Sequence, residues 1–384
     1  MQLEGASQVL VIGAGPAGSA AATTLARAGV DVCMVDRARF PRDKTCGDAV
    51  SAGAMRLLDA MGVAADVLAR PHASVVHASA VFPGGERIGR DYLQPGYIVG
   101  RSELDDALRR GAERAGATVL EGVAVRRVLR DPETDFVVGA RGDRFRWRAG
   151  VTIAADGPFS VALPALGCER PRGRHVGVAA TAYLRGVTFP AGPATADHYI
   201  ESELPLGYGW IFPAVEGLSN VGVYQRRDAY GQRSGGLRAA FEAFLDRHPE
   251  RFCNAERVGR VRNWSLPLAA PPHAISAPGL LLAGDAACLV DPLSGEGIWQ
   301  AIFSGVEAAK TAAGAIAEGN LSPRLRKRYE RAIKTRIARP SFGKRAVQHC
   351  LQGLVKSGLY RLRPLRGSVR RIYAGGFLEM TKRS

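Results

Sequence analysis

The chain has 384 residues, of which 46% are hydrophobic and 23% are charged, and its formal net charge is +16. This composition is typical of a globular protein, and the length is enough for two or three domains. No apolar run approaches the roughly 20 residues that span a bilayer, and the N-terminus lacks the basic and apolar regions of a secretory signal. We therefore expect a cytoplasmic protein.

The positive charge is concentrated at the C-terminus. Residues 320–384 contain 18 Lys and Arg residues against two Glu residues, so the rest of the chain carries no net charge. The six cysteines and seven histidines are widely scattered, with no Cys-x-x-Cys pair and no spacing that suggests zinc. These observations predict free thiols and no metal site.

A dinucleotide-binding unit is predicted at the start of the chain. Val9–Ile12 is a short apolar run of the kind that forms a buried parallel strand, and the glycine-rich sequence GAGPAG follows at 13–18. A small-residue helix over Ala20–Ala28 leads to a second strand over Val30–Val35, which ends at Asp36. In this motif the glycines permit a tight turn, approach to a pyrophosphate and close packing of helix on strand.

A lone GxGxxG motif is weak, and its alternative interpretation is a glycine-rich turn without a ligand. Here the strand, helix, second strand and terminal acid occur in the required order, which favours a dinucleotide. Asp36 follows Gly15 at about the distance of 20 residues at which an acid reaches a ribose hydroxyl. An acid at this place favours FAD or NAD over NADP.

The next elements are short strands and helices. The loop after Asp36 is long and rich in Gly, Pro and charge, and such loops are usually functional. Ser102 and Asp105 have the spacing of a capping box and predict the start of a helix that runs to Ala115. The other elements predicted here are a helix over Ala52–Met61, a hairpin over Val75–Phe82 and Gly85–Arg90, and strands over Ile98–Gly100, Thr118–Leu120, Ala124–Leu129, Phe136–Ala140, Phe145–Arg148 and Val151–Ala155.

The pattern changes after residue 176. Val176–Trp264 contains strands separated by turns and one helix near Leu237–Leu245, which predicts a mostly antiparallel sheet. Leu280–Ala283 is then another buried strand, and Gly297–Ile316 is a long small-residue helix. Because this strand and helix resemble the first unit, we expect the dinucleotide-binding domain to be discontinuous.

Several motifs spread over most of the chain carry a family resemblance. Those that resemble flavoprotein monooxygenases of the p-hydroxybenzoate hydroxylase type are GAGPAG at 13–18, RSELD at 101–105, ADG at 155–157 and GDAACLVDPLSGEGIWQAIFSG at 284–305. The more specific motifs, which resemble the geranylgeranyl reductase family, are PRDKTCGDA at 41–49, GYGWIFP at 207–213 and PLSGEGI at 292–298.

The resemblance implies an α/β FAD-binding Rossmann-like domain, a mostly antiparallel β substrate domain and a C-terminal helical segment. The boundaries predicted for them are 1–74, 101–165 and 276–321 for the FAD-binding domain, 75–100 and 166–275 for the substrate-binding sheet, and 322–384 for the basic helical segment.

The resemblance also implies which residues bind FAD. Asp36 would bind the adenosine ribose, with Arg37 beside the adenine and the backbone near Val125 holding it. Arg101 would contact the FAD chain, and Asp285 the ribityl and phosphate region. The glycine-rich residues that would border the cofactor are Gly13, Gly15, Pro16, Ala17 and Gly18 at the pyrophosphate, Gly47 in the cysteine loop, and Gly295 and Gly297, whose N–H groups at a helix start would face the flavin N1–C2=O edge.

Asp285 has an alternative interpretation, since Asp also serves as a helix N-cap. Cys46 would lie near the flavin face, where a protonated thiol could deliver a proton to carbon or simply shape the pocket. Its alternative is a buried small hydrophobe. Tyr208 and Trp210 alternate on one strand and so share a face, which would be either core or the pocket wall above the flavin.

Several departures from related families bear on function. Aromatic hydroxylases of this fold usually have His where Cys288 stands, and flavin halogenases carry Trp-x-Trp-x-Ile-Pro where this chain has YGWIFP at 208–213. GDAAC-x-x-DP is halogenase-like, but SGEG at 294–297 matches the reductases and nothing resembles the halogenase lysine signature. There is no second GxGxxG, so the electron donor could be NAD(P)H or ferredoxin.

The sequence therefore predicts an FAD-dependent reductase that saturates carbon–carbon double bonds of a hydrophobic, prenyl-type substrate, with NAD(P)H or another donor as reductant. The alternative is a monooxygenase or halogenase that acts on a natural product. A third possibility is a basic flavoprotein that binds membranes or nucleic acid, for which we expect no sequence-specific nucleic-acid recognition.

The basic C-terminus contains an apolar stripe. Three- and four-residue spacing predicts an amphipathic helix that lies in a membrane interface, giving a peripheral membrane protein. The alternative is that the stripe packs on the FAD domain and its arginines are solvated. The residues of the stripe are Leu351, Leu354, Val355, Leu359 and Leu362, with Lys356, Arg361 and Arg363 close by.

Overall fold

Two sheets organise the chain in the computed structural model, which describes residues 3–230, 236–269 and 274–362. In chain order the strands are β1 (Leu3–Ile12), β2 (Val32–Asp36), β3 (Ala49–Val50), β4 (His72–Val81), β5 (Arg87–Val99), β6 (Thr118–Glu121), β7 (Val125–Arg130), β8 (Val137–Gly142), β9 (Phe145–Ala154), β10 (Val176–Arg185), β11 (Thr195–Tyr199), β12 (Gly207–Pro213), β13 (Leu218–Arg226), β14 (Glu256–Pro267), β15 (Ser276–Ala277) and β16 (Leu280–Leu282).

The helices include α1 and α8 at the first sheet and three consecutive helical stretches at the C-terminal end. Their bounds are α1 (Pro16–Arg27), α2 (Ala52–Ala60), α3 (Ala64–Leu68), α4 (Arg101–Arg114), α5 (Arg227–Tyr230), α6 (Gly236–Arg247), α7 (Pro249–Phe252), α8 (Ile298–Ala317), α9 (Pro323–Ile333) and α10 (Arg339–Ser357), with a π-helical turn over Lys334–Ala338 between the last two.

The first sheet is the predicted Rossmann-like unit. Its strands lie in the order β15-β16-β9-β1-β2-β6, and β16, β9, β1, β2 and β6 are mutually parallel. The C-terminal part of β1 and the first four residues of β2 are apolar and buried, as is typical of parallel strands covered on both faces. The returning strand and helix, β16 and α8, join this sheet, so the unit is discontinuous in sequence.

Two strands of the first sheet are longer than predicted. β1 begins at Leu3 rather than Val9, and β9 is one strand where two were expected. The reason is a ladder between them that runs without interruption from the Leu3–Phe145 pair to the Ile12–Ala154 pair. Each strand gives the other a hydrogen-bonding partner over its exposed half, which apolar periodicity does not reveal.

The second sheet is mostly antiparallel, with the order β14-β10-β13-β12-β11-β4-β5-β3. Only the β11–β4 pair within it is parallel. Helix α6 covers one face through Leu237, Phe241 and Phe244, which pack with apolar residues of β10 and β13. The strands predicted over Gly85–Arg90 and Ile98–Gly100 form parts of one strand, β5.

The predicted capping box at the start of α4 is wrong. The helix begins at Arg101, after Gly100 as N-cap, and no side chain caps it. The Asp105 carboxylate instead accepts two hydrogen bonds from the Arg101 guanidinium, at 2.8 and 2.7 Å. Asp105 therefore forms a buried ion pair with Arg101, one helical turn away, instead of taking part in a cap.

The C-terminal segment packs against both sheets. Tyr329 of α9 is buried in the core of the first sheet, and its hydroxyl donates to the Leu282 carbonyl. Leu351 and Val355 of α10 are buried in the apolar cluster of the second sheet, so this part of the predicted stripe faces protein.

The predicted amphipathic helix also ends earlier than expected. Gly358 adopts a left-handed conformation (φ +69°) and terminates α10, so Leu359 and Leu362 lie beyond the helix and are 43% and 50% exposed. Arg363 lies outside the described residues. Within the ranges that the structure describes, no helix is long and apolar enough to cross a membrane.

A buried ion pair in the second sheet gives a test of this architecture. Arg251 is 1% exposed and donates to Asp197 at 2.7 Å and to the Thr188 carbonyl at 2.5 Å. We expect Arg251→Met to lower the free energy of unfolding by about 3–5 kcal/mol, because Asp197 would lose one of its cationic partners in the interior. Urea denaturation measures the change. Arg257→Met, which breaks a partly exposed pair with Glu242, should cost less than about 1 kcal/mol.

Candidate functional site

A cavity of about 860 Å³ lies between the two sheets. It begins at the carboxyl ends of β1 and β2, where Ile12 and Asp36 line it, and it extends to Tyr208 and Trp210 on β12. Open α/β sheets bind ligands beyond the carboxyl ends of their strands. The cavity therefore lies where the first sheet would hold a dinucleotide and where the second sheet can reach it.

The three glycines of the GAGPAG turn have different roles. Gly13 adopts φ +100°, and a Cβ there would lie 2.4 Å from the Ala155 carbonyl oxygen. A Cβ on Gly18 would lie 1.8 Å from the Gly13 carbonyl oxygen, so α1 can approach β1 this closely only because residue 18 is a glycine. A Cβ on Gly15 would meet only the Arg42 guanidinium, at 3.6 Å, and would otherwise project into the cavity. Gly15 thus leaves room for a ligand.

The structure brings together all but one of the predicted site residues. Gly18 does not line the cavity, because it packs helix against strand. Those that do are Gly13, Gly15, Pro16, Ala17, Asp36, Arg37, Cys46, Gly47, Arg101, Val125, Tyr208, Trp210, Asp285, Gly295 and Gly297.

Two acids line the part of the cavity that the first sheet borders, which we call the cofactor half. The Asp36 carboxylate accepts hydrogen bonds from the Ala14 amide at 2.7 Å and the Ala38 amide at 2.8 Å, which fix it beside the glycine turn. The Asp285 carboxylate lies 3.4 Å from the Lys44 ammonium. Asp285 caps no helix, so the alternative interpretation of this residue as an N-cap is wrong.

The start of α8 differs from prediction at one amide. Gly295 donates its N–H to the Asp291 carbonyl at 3.0 Å, so it is not the free donor that we expected. Gly297 is the N-cap of α8, and the first amides of the helix follow it at the cavity edge. The positive end of the α8 dipole therefore faces the cavity through Gly297 and the first turn.

Cys46 lines the cavity close to Arg101. Burial raises the pKa of the Cys46 thiol above its usual range, and the nearby Arg101 charge offsets this only in part. The thiol is therefore protonated at neutral pH and has a proton to give. Arg101 stays charged, because its pairing with Asp105 outweighs the burial that would lower its pKa.

An aromatic wall forms the other side of the cavity. Tyr208 and Trp210 project from the same face of β12, as their alternation predicted, and Phe212 continues the row. The Tyr208 hydroxyl donates to the Ser294 carbonyl, which ties the wall to the SGEG loop. His198 lies between the rings of Tyr208 and Phe212, and burial lowers its pKa to about 4, so it is neutral.

Sequence reasoning missed the residue that connects these parts. Asn220 is 1% exposed and donates to the Cys46 carbonyl at 2.9 Å and to the Asp48 carboxylate at 2.7 Å. Its amide oxygen accepts from the Trp210 indole at 2.9 Å. Asn220 thus fixes the cysteine loop relative to the aromatic wall. No local signal in the sequence marked this residue, because Ser219, Gln225 and Arg226 of the same strand, β13, are also polar and buried.

Two further acids escaped the sequence analysis. Burial raises the pKa of Asp48 to about 6, although Tyr183 and Asn220 hydrogen-bond to it. Burial likewise raises the pKa of Glu296 to about 7, with the Ser51 hydroxyl acting in the opposite direction. Both residues line the cavity, and each can change its charge near neutral pH. The sequence marked these two acids only by their place, since Asp48 lies in the PRDKTCGDA motif and Glu296 in the PLSGEGI motif.

Comparison with known proteins agrees with this geometry. A family model described as FAD binding domain matches residues 6–339. The menaquinone reductase of Mycolicibacterium smegmatis is 34% identical over 320 residues, which cover 79% of this chain and 76% of that protein. The digeranylgeranylglycerophospholipid reductase of Methanosarcina acetivorans is 33% identical over 338 residues, covering 84% and 79%. The chain belongs to the geranylgeranyl reductase family of FAD-binding flavoproteins.

Solved structures support the same fold. A geranylgeranyl bacteriochlorophyll reductase-like protein from Thermoplasma acidophilum has a TM-score of 0.80 and 27% identity, with 98% of each chain covered. A flavin-dependent brominase has a TM-score of 0.76 at 22% identity, covering 96% of this chain and 94% of that one, which shows the fold alone. The predicted fold class, the FAD-dependent oxidoreductase activity and the reductase family are thus confirmed.

The cavity of this flavoprotein fits FAD. The open side of Gly15 leaves room for the pyrophosphate, and the N-terminus of α1 begins there, where helix amides bind phosphate. Asp36 is placed for the adenosine ribose and Lys44 with Asp285 for the ribityl end. We propose these residue roles on position and chemistry, with Arg37 and Val125 at the adenine.

Two glycine substitutions separate cofactor binding from folding. Gly15→Val should fold but be isolated colourless, because its side chain fills the pyrophosphate space and contacts no backbone. Gly18→Val should lower stability by several kcal/mol, since its Cβ would overlap the Gly13 carbonyl. Flavin absorbance and thermal unfolding of the FAD-free proteins measure the two effects. Equal loss of stability in both variants would contradict the assignment.

The raised pKa of Glu296 predicts a dependence of stability on pH. The folded protein holds this proton more tightly than the unfolded chain, so the stabilisation is complete below pH 4.5 and is lost as pH rises through about 7. Glu296→Gln should remove this loss. Between about pH 5 and 8 the free energy of unfolding of the FAD-free wild type should fall by about 2 kcal/mol more than that of the FAD-free variant. Urea unfolding tests this, and Glu133→Gln, at an exposed site, is the control.

Proposed function

We propose that this flavoprotein reduces carbon–carbon double bonds of a prenyl-type substrate. The observation that carries the proposal is the position of Cys46, a protonated thiol between the cofactor half of the cavity and an apolar aromatic wall. A wall of Tyr208, Trp210 and Phe212 suits a hydrocarbon chain better than a polar substrate. The relatives named as reductases of menaquinone and of a digeranylgeranyl lipid support the same substrate class.

Bound and reduced FAD would supply a hydride to one carbon of the double bond. The second carbon then needs a proton, which the Cys46 thiol donates in this proposal. The resulting thiolate would lie beside the Arg101 guanidinium and the Asp48 amide, both of which favour its negative charge. Asn220 would fix the position of Cys46 relative to Trp210, because its side chain hydrogen-bonds to the Cys46 carbonyl and to the Trp210 indole. As the reductant we propose NAD(P)H or another electron donor, since the sequence has no second GxGxxG motif to assign one.

The proposal is tested with chemically reduced enzyme under anaerobic conditions. A geranylgeranyl-type alkene should gain two hydrogen atoms while the flavin is reoxidised, as mass spectrometry and absorbance would show. The rival function, oxygenation or halogenation, has its support in the brominase-like fold. It would require oxygen, so a hydroxylated or halogenated product formed only in air would replace the reductase proposal.

Cys46→Ser provides the residue-level test in the same assay. We expect the variant to keep FAD and to reoxidise roughly 10²–10⁴-fold more slowly with the alkene, the range of general acid catalysis. Cys288→Ser, a buried cysteine outside the cavity lining, is the matched control and should stay near the wild-type rate. A loss below about tenfold at Cys46 would assign that residue to packing.

We further propose that the protein is cytoplasmic and contacts membranes peripherally. A prenyl substrate partitions into lipid, so an enzyme that acts on it gains from residence at the bilayer surface. The α10 part of the predicted apolar stripe, with Leu351 and Val355, is buried against the second sheet. The α10 part of the stripe is therefore not available as the contact surface, and only Leu359 and Leu362 beyond it remain exposed.

A further inference from the structure

The outer face of the C-terminal helical segment is strongly basic. Leu325, Tyr329, Ile333 and Ile337 are buried in the core of the first sheet, which fixes the rotation of α9 and of the π-helical turn. The residues turned away from that core are exposed. We call four of them the basic face: Lys327, Arg331, Lys334 and Arg339.

The basic face is not neutralised within the protein. Among the residues that the structure describes, no carboxylate forms an ion pair with any of its four members, whereas neighbouring Arg324 pairs with Glu318 at 2.6 Å. A cleft of about 500 Å³ opens between them. The carboxylate at this cleft, Glu330, accepts a hydrogen bond from the Ser276 hydroxyl at 2.6 Å. Four cations with a single carboxylate among them leave the cleft with a net positive charge, which favours an anionic partner.

An exposed aromatic residue continues this face. Phe342 is 72% exposed and stands three residues after Arg339, within side-chain reach on the same helix. From Lys327 to Phe342 the segment spans about 22 Å at the rise of an α-helix. Cations followed by an exposed aromatic side chain are the pattern of a helix that lies on a membrane, with the cations at the headgroups and the ring at the acyl boundary.

We propose that the basic face and Phe342 bind the surface of a membrane that contains anionic phospholipid. This inference deepens the peripheral contact proposed above and rests on it. The same helical segment continues into α10, which covers the apolar cluster of the second sheet through Leu351 and Val355. Docking would therefore hold the substrate side of the molecule near the lipid. Nucleic acid is the less favoured partner, because it offers nothing apolar to Phe342.

The test is flotation of the FAD-loaded full chain with vesicles of phosphatidylcholine alone or mixed with phosphatidylglycerol. Wild type should float only with the anionic vesicles. Changing all four residues of the basic face to Gln should weaken this binding by about 10²–10³-fold, since each basic residue contributes roughly tenfold or less at such a surface. Phe342→Ser should weaken it further, and inorganic phosphate at matched ionic strength should not compete.

A matched control removes the same charge from another face. Arg127, Arg141 and Arg146 on strands β7, β8 and β9 and Arg144 in the turn before β9 are exposed and, within the described ranges, pair with no carboxylate. Their replacement by Gln should change binding less than about threefold. Flavin content and melting temperature establish that every variant is folded.

Three results would overturn the proposal. The first is that wild type floats equally with neutral and anionic vesicles, or does not float with anionic vesicles at all. The second is that the two quadruple variants lose vesicle binding equally. The third is that the protein binds duplex DNA tightly through the basic face and does not bind vesicles. None of these measurements requires reduction of an alkene. Failure of the docking surface is therefore distinguishable from failure of the proposed reductase activity.

Discussion

The close approach of α1 to the end of β1 is the constraint on which the site depends. It is possible because Gly18 has no side chain where the Gly13 carbonyl lies, and because Gly305 of α8 leaves room for the Ala17 carbonyl, which lies 2.1 Å from where a Cβ would be. Two helices thus pack backbone to backbone at one point. Their positions set the width of the cofactor half of the cavity and the place of the α8 N-terminus beside it.

The second half of the site is held by hydrogen bonds rather than by backbone packing. The Asn220 side chain donates to the cysteine loop and accepts from Trp210, and it is itself buried. Such a network is strong only when every member is satisfied. The thiol of Cys46 and the ring of Trp210 are consequently placed by a residue that touches neither cofactor nor substrate in the proposed chemistry.

The sequence predicted those features that arise from local chemistry. The glycine turn, Asp36 and the first residues of α8 follow from strand, turn and helix patterns within a few dozen residues. Asn220 could not be placed in this way, because the Cys46 carbonyl and the Asp48 carboxylate that its amide group binds are more than 170 residues away. The capping box failed because Asp105 had a better partner in Arg101. The tail stripe showed correctly that one face is apolar, but periodicity does not reveal that the second sheet covers it.

The C-terminal segment has a mechanical consequence. It is anchored in the first sheet by Tyr329 and on the second by Val355, with Lys344 between them bound to Asp291 at 2.5 Å. The segment thereby connects the two sheets through contacts with each of them. Separating the two sheets would require breaking these contacts, so the segment is a structural brace of the fold rather than a detachable tail.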